Sequence, residues 1–190
     1  MRTFIAIELP KDIKDLLEGL QQELKNTDAD VKWVEPKNIH LTLKFLGEID
    51  EKKSIRINSI LEEIAKDINS FKVRFCCVGA FPKIIYPRVV WAGIDMGDQE
   101  TQTIAKALEE KIEKIGIPKE ERAFSSHVTI GRVKSPLNRD KLVQGLKNLE
   151  NYFSAKNAEF LVFKITLFKS TLTPKGPIYE ALKEVNLKTI

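Results

Sequence analysis

One pattern, His-apolar-Thr-apolar, occurs twice in this chain and constrains its fold more than any other feature. His40-Leu41-Thr42-Leu43 and His127-Val128-Thr129-Ile130 stand 87 residues apart and use both of the chain's 2 histidines. Other segments fall into register at the same offset. Phe4-Ile5-Ala6-Ile7-Glu8-Leu9 falls on Trp91-Ala92-Gly93-Ile94-Asp95-Met96, residues 71–75 fall on 158–162, and Pro87 falls on Pro174. Identity is low, but the order strand, helix, strand, helix, strand recurs, which predicts an internal duplication. The expected architecture is α+β and bilobal. Each pseudo-symmetric lobe carries an antiparallel sheet with helices outside, and a cleft lies between them. Residues 1–190 are read as one two-lobed domain, a size that one compact unit can bury.

Local pattern supplies the elements. Runs rich in β-branched and aromatic residues predict strands at 4–9, 31–34, 39–46, 71–80, 88–96, 127–133, 159–168 and 178–185. Helical periodicity covers 11–25, 52–68, 99–115 and 139–149. Asn138 is the expected N-cap of the last helix, and Gly116-Ile117-Pro118 the stop of the third.

Composition then narrows the chemistry. Only 2 cysteines are present, the adjacent Cys76 and Cys77, without C-x-x-C spacing. On a regular strand they point to opposite faces. No H-E-x-x-H appears, so soft ligands are too few for a transition-metal centre. The glycine-rich nucleotide motifs are missing as well, and the expected metal and cofactor count is zero. No apolar run approaches a bilayer span. The segment Met1-Arg2-Thr3-Phe4-Ile5-Ala6-Ile7-Glu8 meets an acid too early for a signal peptide, which predicts a cytoplasmic protein. A formal charge of +4 permits a polyanionic partner without requiring one.

Within each motif, strand alternation puts His and Thr on one face and the two apolar residues on the other. A two-fold relation brings both pairs into one site. Two imidazoles that titrate near neutrality suit a general acid and a general base. Two hydroxyls can hold oxygens of a group that gains negative charge. In-line phosphoryl transfer needs these parts, with no metal if protons do the work. Five residues after each histidine stand Phe45 and Arg132. Arg132 suits a phosphate clamp, but alternation turns it away from His127 unless Gly131 lies in a bulge. Phe45 reads as core. Lys44 shares the parity of His40 and reads as an exposed lysine. Trp33, Tyr86, Phe124 and Tyr179 read as base-stacking or packing residues.

The chain resembles the RNA 2′,3′-cyclic phosphodiesterases, also called 2′-5′ RNA ligases, of the two-histidine phosphoesterase superfamily. The resemblance rests on Trp33-Val34-Glu35-Pro36-Lys37-Asn38-Ile39-His40-Leu41-Thr42-Leu43-Lys44-Phe45-Leu46-Gly47 and His127-Val128-Thr129-Ile130-Gly131-Arg132, with flanking matches over nearly the whole chain. It implies that His40 is the proton donor, His127 the proton acceptor and Arg132 a phosphate contact. It implies hydrolysis of a terminal cyclic phosphate to a 2′-phosphate. The implied partner is RNA with cyclic-phosphate ends, tRNA fragments included, handled by a monomer away from membranes. Ser126 stands where the family commonly has proline. Two other readings stay open: ligation, the reverse reaction, and a non-catalytic module that binds RNA ends.

Overall fold

A computed structural model describes residues 1–174 and 176–189. In chain order it contains β1 (Arg2–Glu8), α1 (Lys11–Lys25), β2 (Val31–Trp33), a 3-10 turn (Pro36–Asn38), β3 (His40–Glu48), α2 (Glu51–Ala65), β4 (Phe71–Lys83), β5 (Tyr86–Ile94) and α3 (Asp98–Glu113). It continues with β6 (His127–Val133), α4 (Arg139–Asn148), β7 (Glu159–Val162), β8 (Lys164–Thr173) and β9 (Gly176–Asn186). None of these helices is long and apolar enough to cross a membrane.

The fold is α+β with two lobes. The strands follow one antiparallel path, β7-β4-β5-β6-β3-β1-β8-β9, with β2 beside β6. One lobe holds β3, β1, β8 and β9, and the other holds β6, β2, β5, β4 and β7. They join where β3 meets β6 at a single ladder position, Leu41 opposite Val128. The 159–168 run, read as one strand, breaks at Phe163. Its first part pairs with β4 and its second with β1, which belong to different lobes, so one straight strand cannot serve both.

The helices bury regular apolar stripes. Ile13, Leu17, Leu20 and Leu24 of α1, and Ile104, Leu108 and Ile112 of α3, join Leu41, Leu43, Val128 and Ile130 in one core. Helices therefore back the sheet face opposite the histidines. Asn138 sits at the N-terminus of α4 but does not cap it. It adopts a left-handed φ of 52°, and its amide donates to the Asp28 carbonyl at 2.8 Å.

The ladder registers adjust the sequence alignment. Ile7 pairs with Leu41 and Ala92 pairs with Val128, so β1 corresponds to β5 two residues earlier than the 87-residue offset places it. A two-residue shift leaves every side chain on its face. Both central strands also carry a bulge after the motif. Pairing steps from Ala6–Thr42 to Ile5–Lys44 in β3, and from Trp91–Thr129 to Val90–Gly131 in β6, so Leu43 and Ile130 are the extra residues. The freed Ile130 carbonyl accepts from the buried Gln21 amide at 2.8 Å and from the Val34 N–H at 3.0 Å.

These bulges correct two sequence expectations. Lys44 is not an exposed lysine. It turns to the helix side, where Nζ meets Glu109 at 2.7 Å with 0% of its side chain exposed. Phe45 is not core but 54% exposed on the histidine face. A third bulge, at Cys76, brings the two cysteine sulfurs together instead of sending them to opposite faces.

Replacing Lys44 by Met should destabilise the protein by about 3 kcal/mol, because the Glu109 carboxylate then lies half-shielded without its partner. The urea midpoint reads this loss, and adding Glu109→Gln should recover much of it.

Candidate active site

The Leu41–Val128 pair organises the site. Continuing its antiparallel register by one residue each way sets His40 opposite Thr129 and Thr42 opposite His127. The four side chains share the face turned away from the helices. The two histidines then stand on the diagonal of this quartet, a separation of roughly 7–8 Å between backbone positions in an antiparallel pair.

Each imidazole is held the same way. His40 Nδ1 donates to the Asn38 carbonyl at 2.8 Å, and His127 Nδ1 donates to the Ser125 carbonyl at 2.7 Å. A carbonyl can only accept, so Nδ1 carries the hydrogen and Nε2 is left for chemistry. Nε2 can accept a proton when neutral and donate one when charged.

Aromatic rings pack on both histidines. Phe4 stacks on His40 with centroids 4.7 Å apart, and Tyr179 meets it edge-on at 5.3 Å. Phe81 meets His127 edge-on at 5.0 Å, and Trp91 lies 6.5 Å away. Trp91 lies flat because Gly79 and Gly93 leave room. A Cβ at Gly79 would come within 2.4 Å of the indole. These rings shield part of each imidazole from water. Burial pulls the His40 pKa below its ordinary value, with the charge of Lys14 adding to the effect and the Asn38 carbonyl opposing it. Burial lowers that of His127 too, aided by the charge of Arg132 and opposed by the Ser125 carbonyl.

The bulge at Ile130 turns Arg132 back to the histidine face. Its charge acts on both His127 and Tyr179, so the guanidinium lies within reach of both. Ser126, before the second motif, is buried, and its hydroxyl bonds Thr101 of α3 at 2.7 Å. That bond ties the residue before His127 to a helix. Of the other aromatics, only Tyr179 reaches a histidine. Trp33 and Phe124 pack against the core, and Tyr86 lies under the Arg139 guanidinium at 4.3 Å.

Sequence reasoning missed Phe4, Phe81 and Trp91, which come from β1, β4 and β5. It also missed the Asn38 and Ser125 carbonyls. A signal for these existed, since both residues lie two before a motif histidine at the same 87-residue offset. Together the parts offer two proton carriers on opposite sides of a central position, two hydroxyls and one guanidinium. That set can move two protons across an anionic centre while holding its oxygens.

Comparison with known proteins points the same way. A family model described as LigT like phosphoesterase matches residues 7–91 and 94–179. The chain is 40% identical over 184 residues to the RNA 2′,3′-cyclic phosphodiesterase of Methanocaldococcus jannaschii, covering 97% of this chain and 99% of that protein. It is 35% identical over 187 residues to the protein of the same name from Methanothermobacter thermautotrophicus, covering 98% and 99%. Among solved structures, TT0787 of Thermus thermophilus superposes with a TM-score of 0.81 at 27% identity, covering 100% and 99%. Escherichia coli LigT complexed with 3′-AMP shares the fold, with a TM-score of 0.77 at 23% identity and coverage of 98% and 97%.

An acid and a base that are both histidines give a bell-shaped pH dependence. The active form has one imidazole charged and one neutral. Because both pKa values lie below the ordinary 6.5, kcat/KM for a phosphodiester should peak below pH 6.5 and fall on either side. A peak at or above pH 7 contradicts the burial argument.

Proposed function

The chain belongs to the LigT like phosphoesterase family, and we propose that it hydrolyses the terminal 2′,3′-cyclic phosphate of RNA to a 2′-phosphate. The observation that carries this reading is the pairing of two His-x-Thr units across one antiparallel ladder, each imidazole presenting Nε2. The names of the relatives support the substrate class.

In the proposed reaction, His127 Nε2 takes a proton from water as the water oxygen bonds to phosphorus. The bond from phosphorus to the 3′-oxygen breaks, and His40 Nε2 delivers its proton to that oxygen. Thr42, Thr129 and Arg132 hold the non-bridging oxygens, whose charge builds in the transition state. The histidines end with exchanged protonation states, and solvent resets them. No step draws on a metal. The anionic substrate offsets part of the burial penalty on the imidazolium, because an adjacent negative charge favours the protonated ring.

His40 is assigned as the acid and His127 as the base from family resemblance, since the two imidazoles are held alike. The aromatic contact differs more than the hydrogen bonding. Phe4 stacks on His40, while Phe81 stands nearly perpendicular to His127. A ring face stabilises a cation above it, which favours a charged His40.

Incubation with a cyclic-phosphate oligoribonucleotide should yield a 2′-monophosphate end with chelator present. His40→Ala and His127→Ala should each lower kcat by about 10²–10⁴, with circular dichroism unchanged. A 3′-phosphate product, or full activity in either variant, overturns the assignment.

A further inference from the structure

Lys32 of β2 lies directly opposite Arg132 of β6 in the ladder, and Lys134 follows Arg132 by two residues on the same strand line. Alternation puts all three on one face, and all three are exposed. Like charges directly opposite each other destabilise a sheet. Opposite Lys134 the register places Asp30, but no ion pair forms between them among the described residues. Among the described residues, none of the three takes part in an ion pair, although eleven other cationic groups do. Asp30, the nearest acid along β2, meets Lys134 only through its backbone carbonyl, at 2.8 Å. The row begins at Arg132, inside the cleft, and runs outward.

The opposite end of the cleft is chemically different. At the position equivalent to Arg132 it presents the ring of Phe45, 54% exposed and 6.3 Å from Phe4. A carboxylate stands there as well, since Glu120 accepts the Phe45 N–H at 3.1 Å. Phosphates are repelled from that end, while a nucleobase can stack on it.

We propose that Lys32 and Lys134 extend Arg132 into a track for the sugar–phosphate backbone of single-stranded RNA upstream of the reacting end. The strand leaves the cleft over the β2–β6 edge, and its terminal nucleoside faces Phe45. The polarity follows from charge: a polyanion goes to the row of unpaired cations and a base to the apolar ring. This inference rests on the proposed RNA-end hydrolysis for its substrate. It adds a binding surface outside the catalytic quartet and a direction for the chain.

The test compares the unaltered enzyme with the Lys32→Ala/Lys134→Ala double variant on two substrates. One is 2′,3′-cyclic AMP, which has no upstream phosphate. The other is a short single-stranded oligoribonucleotide ending in a cyclic phosphate. Removing two phosphate contacts should lower kcat/KM for the oligonucleotide on the order of twentyfold at ~0.1 M salt, and leave cyclic AMP within twofold, at about 0.7 logarithmic units per contact. Equal losses on both substrates, or none on the oligonucleotide, overturn the track. Fluorescence anisotropy with the same oligonucleotide ending in a 2′-phosphate provides a readout independent of turnover. The slope of log K against log salt should become shallower by about 1.4 in the variant, and an unchanged slope refutes the proposal. If the unaltered enzyme hydrolyses neither substrate, the proposed function fails, and the binding slope still decides the track. Lys32→Arg/Lys134→Arg should behave as the unaltered protein.

Discussion

One pairing, Leu41 against Val128, holds the two lobes in a single sheet, and the rest of the site depends on it. Both side chains are fully buried among the helices, so the core grips this pair from behind while the histidine face stays open. Because β3 and β6 share only this ladder position, the motif residues on either side are placed by it directly. The bulge that follows in each strand turns the fifth residue after each histidine back to the open face. The bulge in β6 is secured by Gln21, which supplies the hydrogen bond its carbonyl loses on leaving the ladder. A buried amide on α1 thus orients a guanidinium on the far side of the sheet.

The pseudo-symmetry is close in backbone and loose in chemistry. Each histidine is oriented by a carbonyl two residues before it, and each is walled by two aromatic rings. Beyond these first neighbours the halves diverge. Across the ladder from His40 stands Glu8, ion-paired to Lys164 at 2.9 Å, whereas the residue across from His127 is Gly93. Phe45 in one half corresponds to Arg132 in the other. A symmetric site treats both directions of proton transfer alike. An asymmetric surround gives a bound strand one orientation, and orientation decides which ribose oxygen meets which imidazole. In the proposed reaction the two histidines move the protons, and selectivity resides in the surround.

Burial has an opposing effect that the site turns to use. The aromatic walls lower both imidazole pKa values, which disfavours the charged acid in the empty cleft. The same walls strengthen every interaction with an anion once one enters. The protonated state is therefore most favourable when a phosphate is there to meet it.

The sequence by itself determined which residues could share a face. Side-chain period is a property of a single strand or helix, so His40 with Thr42, His127 with Thr129, and the stripes of α1 and α3 were legible without a partner. The 87-residue spacing made the two motifs halves of one arrangement. Only the tertiary structure decided what lay one strand away or past a bulge. Lys44 and Phe45 exchanged faces because Leu43 is an extra residue, and no local pattern announces a bulge set by the neighbouring strand. The 159–168 run split because its halves pair with strands of different lobes. Phe4, Phe81 and Trp91 became walls of the histidines through ladder registers that join residues dozens of positions apart. Periodicity is local and survives in the sequence, whereas register and burial are set by contacts between distant segments and exist only in the fold.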